Sequence, residues 1–226
     1  MSNYKTVFFI LGVLQIILGL SMIVPIIAQF YYNQVDSGFI GSGLVSIIFG
    51  VLFFLSNLDY EKKLTLPQAF LLTALSWLSI AIFGSLPFVF SDLSLSFTNA
   101  FFESMSGITT TGSTILTNLN ETPKAILLWR AMLQWLGGIG IIVMAITLMP
   151  IMNIGGMQLF VISNTHTPEK ILPKSKEISI RLIAIYSSLT LVCAFFYKIF
   201  GMSFFDSIVH SICLLYTSDA ADEEDS

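Results

Sequence analysis

The chain is 226 residues long; 55% of them are apolar, only 11% are charged, and the formal net charge is −4. A water-soluble domain carries about a quarter charged residues, so long runs this apolar argue against a soluble enzyme or a nucleic-acid binder and for an integral membrane protein. Five acidic residues, Asp219, Asp222, Glu223, Glu224 and Asp225, crowd the C-terminal end; without them the balance is near neutral and points to no acidic or basic partner.

Val7 to Phe30 is the first apolar run, interrupted by Gln15, Ser21 and Pro25. It is longer than a signal-peptide core and lacks an A-x-A-like cleavage site, so it is expected to remain as one membrane helix. Pro25 is acceptable inside it because neighbouring helices satisfy the carbonyl that proline frees. A short loop, Tyr31 to Ser37, leads to the second run, Gly38 to Ser56. The loop Asn57 to Pro67 carries Asp59, Glu61, Lys62 and Lys63, and the third run, Ala69 to Phe90, holds Pro87.

The next stretch, FTNAFFESMSGITTTGS from Phe97 to Ser113, is of a different kind. Phe97 to Ser106 is apolar but too short to cross a bilayer, which takes roughly twenty helical residues. Gly107 to Ser113 is a run of hydroxyls and glycines with Ile108 its one core-forming side chain. A half-length helix that dips into a membrane and returns as irregular backbone survives only where that backbone lines a water-filled or protein-buried cavity. Consecutive carbonyls of small polar residues can replace the hydration shell of a monovalent cation. Gly112 supplies positive-φ freedom where carbonyls must turn, and the partly negative C-terminal end of the short helix faces the ion.

Thr114 to Pro123 is a polar connection, and Pro123 stands where the fourth span, Lys124 to Met149, begins. A loop from residue 150 to 178 holds Gly155, Gly156, Lys170, Lys174 and Lys176. The fifth span runs from Ser179 to Phe200, and Phe204 to Ile212 starts a second short dipping helix. If the five spans alternate and the dip returns to its own side, Lys5, Lys62, Lys63, Lys170, Lys174, Lys176 and Arg181 share one face. Lys124 and Lys198 are left on the other. The positive-inside rule then places the amino terminus in the cytoplasm and opens the Thr109–Ser113 stretch to the outside.

Two charged residues lie inside apolar segments. Glu103, on the short helix, is expected to accept hydrogen bonds behind the hydroxyl-rich turn rather than to bind an ion directly. Arg130, about two turns into the fourth span, either neutralises Glu103 or fixes helix packing, with snorkelling to the interface the alternative. Gly137, Gly138 and Gly140 follow no strand, so close helix packing explains them better than a nucleotide loop. Trp77, Trp129 and Trp135 are expected as packing or interfacial anchors. Cys193 and Cys213 form no disulfide framework, and His166 and His210 have no ligand-like company. Asp206 and His210, four apart on one helical face, are a weak relay signal, and Asn120-Glu121-Thr122 is a glycosylation sequon of high chance frequency. No nucleophile, zinc-ligand or phosphate-loop arrangement argues for an enzyme, and no cofactor is expected.

FFESMSGITTTGSTIL, then WRAMLQWLGGIGIIVMAITLMPI and GGMQLF, resembles in that order the Trk/Ktr superfamily of potassium transporters, and within it the TrkH-type membrane subunit. The resemblance implies an all-α integral membrane protein of helix–pore loop–helix repeats around one pore, four to a complete chain, here preceded by an amino-terminal helix pair. On it, residues 1–56 are that pair, 69–149 the first repeat with its filter, 150–178 a cytoplasmic loop, and 179–212 the start of a truncated second repeat. The family's filter falls on Thr109, Thr110, Thr111 and Gly112, with Ser113 beside it, supported by Glu103 and Arg130. Potassium is expected on backbone oxygens of Thr110 and Thr111. The resemblance further implies potassium uptake across the plasma (inner) membrane, a homodimer, and a cytosolic nucleotide-binding regulatory subunit. A sodium-coupled or sodium-permeable relative and a non-conducting scaffold are the alternatives; Gly112 leans toward potassium. After FFDSIVHS the chain departs from the family pattern into ICLLYTSDAADEEDS, so residues 213–226 are expected to be a non-native tail on an amino-terminal fragment that does not conduct alone.

Overall fold

The computed structural model describes residues 4–33, 36–60, 65–93, 95–117, 119, 121–152 and 171–214, with side chains described except at 146–152, 171–176 and 214. All the regular structure there is helical. The first apolar run, expected as one helix, is two: α1 (Lys5–Ser21) and α2 (Ile23–Tyr31), parted at Met22. Pro25 is the reason. It has no N–H to give the Ser21 carbonyl four residues back, and its ring crowds that carbonyl. The helix therefore breaks where proline removes its bond.

α3 (Gly38–Ser56) lies along α1 at very short range. A Cβ on Gly12 would stand 2.7 Å from the Gly50 carbonyl oxygen, and one on Gly50 2.8 Å from that of Gly12. Small residues are what lets two backbones approach so closely inside a membrane. α4 (Leu66–Phe90) starts ahead of the expected Ala69 because Thr65 and Gln68 form a capping box and Pro67 sits in the first turn. The Thr65 N–H donates to Gln68 Oε1 at 2.9 Å, and a proline this early costs no helical bond.

α5 (Phe97–Ile108) has 12 residues, about 18 Å at the helical rise and well short of the ~30 Å hydrocarbon layer. α6 (Lys124–Met152) follows a non-helical connection. α7 (Ile171–Ile199) starts eight residues before the expected Ser179, so Lys174 and Lys176 belong to a helix and not to a loop. Its exposed Arg181 pairs with Glu177 one turn earlier at 2.5 Å. α8 (Phe204–Leu214) takes in Cys213 and Leu214, which the sequence reading assigned to the tail. The rest of that tail and residues 153–170, with Gly155, Gly156, His166 and Lys170, lie outside the described residues, as do Lys62, Lys63 and Asn120.

Among the described residues, five stretches are long and apolar enough to cross a membrane: Lys5–Tyr31, Gly38–Ser56, Leu66–Phe90, Lys124–Ala145 and Glu177–Ile199. Their outward faces carry large apolar side chains such as Ile27, Leu44, Leu191 and Phe195, the surface that a hydrocarbon solvent favours. The core between them centres on Trp129, fully buried in α6. It packs among Leu18, Met22, Phe39, Phe88 and Ala100, so the amino-terminal helices and α4–α6 share one cluster. Its indole N–H donates to the Gly84 carbonyl at 2.9 Å. Trp129 is thus an internal strut, and of the two roles expected for it, packing holds.

Candidate functional site

α5 is held at both ends by its own sequence. At the start, Ser96 Oγ accepts from the Asn99 N–H at 3.3 Å, the usual N-cap arrangement. At the other end three consecutive β-branched threonines disfavour continuation, and the chain closes in a Schellman turn. The Thr111 N–H reaches the Ser106 carbonyl at 3.0 Å and the Thr110 N–H reaches that of Gly107 at 2.9 Å. That motif requires a left-handed residue between them. Here it is Thr110, with φ +59°, and Gly112 two residues on has φ +82°.

Gly112 was foreseen at positive φ; Thr110 was not. A β-branched residue in that region is strained, and such strain persists only where surrounding contacts dictate it. Those contacts are visible. Thr110 Oγ1 donates to the Thr109 carbonyl at 2.6 Å. Thr109 Oγ1 donates to the Met105 carbonyl at 2.7 Å and stands 2.8 Å from Thr111 Oγ1.

Among the described residues, two carbonyls of the turn differ from the rest in having no protein donor. Those of Ser106 and Gly107 close the turn, and that of Ile108 abuts Gly137 of α6, where a Cβ would overlap it. That of Thr109 takes the Thr110 hydroxyl. The Gly112 carbonyl accepts from Arg130 Nη2 at 2.6 Å. The Ser113 carbonyl accepts from Ser106 Oγ at 2.6 Å and from Arg130 Nη2 at 3.5 Å. Among the described residues, no hydrogen bond reaches the carbonyls of Thr110 and Thr111.

Behind the turn lies a buried charged network. Glu103 has no exposed surface, and Arg130 Nε donates to its Oε1 at 2.5 Å. Thr114 Oγ1 donates to the same oxygen at 2.8 Å, and the Ile115 N–H donates to Oε2 at 3.0 Å. The carboxylate thus gathers the arginine and the returning chain, while the arginine reaches past it to Gly112. Of the roles weighed for Arg130, neutralising Glu103 is the observed one, and hydrogen bonding to the turn comes with it. Ser106 was missed by sequence reasoning; its place about one turn after Glu103 on the same helix was the signal available. Asp206 and His210 form no relay: Asp206 bonds instead to Ser203, at 2.6 Å between Ser203 Oγ and Oδ2.

The family described as TrkH, cation transport protein, matches residues 5–217. The Trk system potassium uptake protein TrkI of Halomonas elongata is 37% identical over 218 residues, which is 96% of this chain and 44% of that protein. TrkH of Escherichia coli K12, a protein of the same description, is 37% identical over 217 residues, 94% of this chain and 45% of its own length. The crystal structure of the potassium transporter TrkH from Vibrio parahaemolyticus superposes with a TM-score of 0.82 at 35% identity, covering 93% of this chain and 42% of that one. The chain spans less than half the length of the relatives it matches. A family match over nearly the whole chain, joined to five stretches among the described residues that are long and apolar enough to cross a membrane, makes this a multi-pass membrane protein that belongs to the TrkH family of cation transport proteins.

Proposed function

We propose that this chain forms part of a potassium-uptake subunit in which the carbonyls of Thr110 and Thr111 replace water around the ion. The observation that carries the reading is the carbonyl account. In one short turn, the oxygens on either side are committed to protein donors or packed against α6, and the two of Thr110 and Thr111 are not. Carbonyl dipoles without a protein donor are what a dehydrated monovalent cation requires. The C-terminal end of α5 adds its partial negative charge at the same place. Thr109 belongs to the site through its hydroxyl, which props that of Thr111. Gly112, Ser113, Glu103 and Arg130 act behind the ion, holding the turn. The relatives' names as potassium uptake proteins support the choice of cation. By the positive-inside rule, the distribution of basic residues along the sequence supports an amino terminus in the cytoplasm and a turn that faces outside.

Rubidium uptake, measured with the subunit at full length in a host lacking its own potassium transport, tests this. Gly112→Asp is expected to abolish uptake, because a side chain at φ +82° is strained and a carboxylate there competes for Arg130. Uptake equal to that of the unaltered protein would refute the filter assignment.

A further inference from the structure

Arg130, Leu133 and Gly137 recur at i, i+3 and i+7 and so lie on one face of α6. That face meets α5 and its turn at three levels. Arg130 holds the carbonyls of Gly112 and Ser113. Leu133 stands against Gly107, where an added Cβ would lie 3.2 Å from the Leu133 Cβ. Gly137 meets the Ile108 carbonyl so closely that a Cβ there would overlap both its oxygen and its carbon. Ile108 is itself buried, 2% exposed.

We infer that Gly137 is a positioning residue: its missing side chain sets how deeply the end of α5 seats against α6, and through that the placement of the Thr110 and Thr111 carbonyls and the choice between potassium and sodium. This rests on the filter reading above. The link is mechanical and short. Ile108 is the last residue of α5, and the Schellman bonds from Thr110 and Thr111 tie the next residues to Gly107 and Ser106. A push on the Ile108 carbonyl therefore moves the whole turn. Arg130 cannot follow freely, because Glu103 holds it at the same time. Cation sites of this kind discriminate by the number and placement of their carbonyl oxygens, so a small displacement reads out as lost discrimination before lost conduction.

Gly140 provides the matched control, since it lies one turn further along the same helix and a Cβ there would meet nothing within 4 Å. Uptake of rubidium and of sodium is compared in the full-length subunit, normalised to the protein present in the membrane. Gly140→Ala is expected to match the unaltered protein. Gly107→Ala, with its 3.2 Å contact to a side-chain atom, is expected to lower the rubidium-to-sodium ratio modestly. Gly137→Ala is expected to lower it by roughly tenfold or more, the effect of about 1.4 kcal/mol of differential affinity. A Gly137→Ala protein that keeps the normal ratio, even with reduced total uptake, overturns the inference. Should Gly137→Ala not reach the membrane, Gly107→Ala decides: a ratio equal to that of Gly140→Ala overturns it, and a lower ratio upholds it. Insensitivity of Gly112→Asp in the same assay would instead bring down the filter reading itself.

Discussion

α5 and α8 each follow a long apolar span, and each starts on a serine, Ser96 and Ser203. Set in register from those serines, Phe97 matches Phe204, Asn99 matches Asp206, Ala100 matches Ser207, and Ser104 matches Ser211. The small residues at those last two places are all at most 1% exposed, so both helices press the same face inward. The seventh helical position differs. In α5 it is Glu103, fully buried and paired with Arg130; in α8 it is His210, exposed. A serine cap and a small-residue face are therefore the general means of seating a short helix against a span. The buried carboxylate is particular to the helix that carries the threonine turn. Matching the similar strings FFES and FFDS letter by letter would have paired Glu103 with Asp206, and the caps show that this register is wrong.

The contrast is broken or sharpened most strongly at that seventh position. Glu103→Ala leaves the Arg130 guanidinium, only 16% exposed, without its carboxylate and removes the acceptor of Thr114 and Ile115. Breaking a buried pair from one side costs about 3–5 kcal/mol. His210→Ala, on an exposed helical face, is expected to stay within about 0.5 kcal/mol. Unfolding in detergent micelles measures both, and similar losses for the two variants would show that the network around Glu103 does not hold the turn.

The long spans were legible because a membrane helix announces itself by a run of apolar residues, and Gly38 to Ser56 was placed to the residue. The boundaries that moved did so for local reasons that composition hides: Pro25 divides the first run, and Thr65 with Gln68 draws α4 back to Leu66. Glu103 and Arg130 could be singled out separately, since charge in an apolar segment is conspicuous. That they pair, with Arg130 reaching on to Gly112 and Glu103 to the returning chain, could not be read there, because it depends on how α6 crosses α5. Thr110 was illegible for another reason. Its left-handed φ contradicts its residue type, and only the closed hydrogen bonds of the turn impose it.

Thr110 and His210 allow a test in which the sign, and not only the size, is at stake. In an exposed helix alanine is better than glycine by about 0.8–1 kcal/mol, and His210 should follow that rule. At Thr110, alanine keeps the cost of a Cβ at φ +59°, about 1–2 kcal/mol, and glycine sheds it. The more flexible unfolded chain takes back part of that gain, about 0.5–1 kcal/mol. Thr110→Gly is thus expected to be more stable than Thr110→Ala by up to about 1.5 kcal/mol. The same order at both places, alanine above glycine, would mean that Thr110 does not hold its left-handed conformation.

The smallest effect separates the two caps. Ser96 Oγ accepts one long bond, 3.3 Å from the Asn99 nitrogen. Ser203 Oγ accepts from the Asp206 N–H at 3.1 Å and donates to Asp206 Oδ2 at 2.6 Å. The Asp206 carboxylate also sits in the first turn, where the helix dipole favours negative charge. Loss of an N-cap side chain costs about 0.5–2 kcal/mol, so Ser203→Ala should fall in the middle of that range and Ser96→Ala at its lower edge. Hydrogen exchange of the first-turn amides reads each helix separately. Asp206→Asn gives α8 the residue that α5 carries as Asn99, and it should bring the exchange protection of α8 down toward that of α5. If protection is unchanged, the carboxylate contributes nothing at the cap, and the two helices begin alike in energy as well as in sequence.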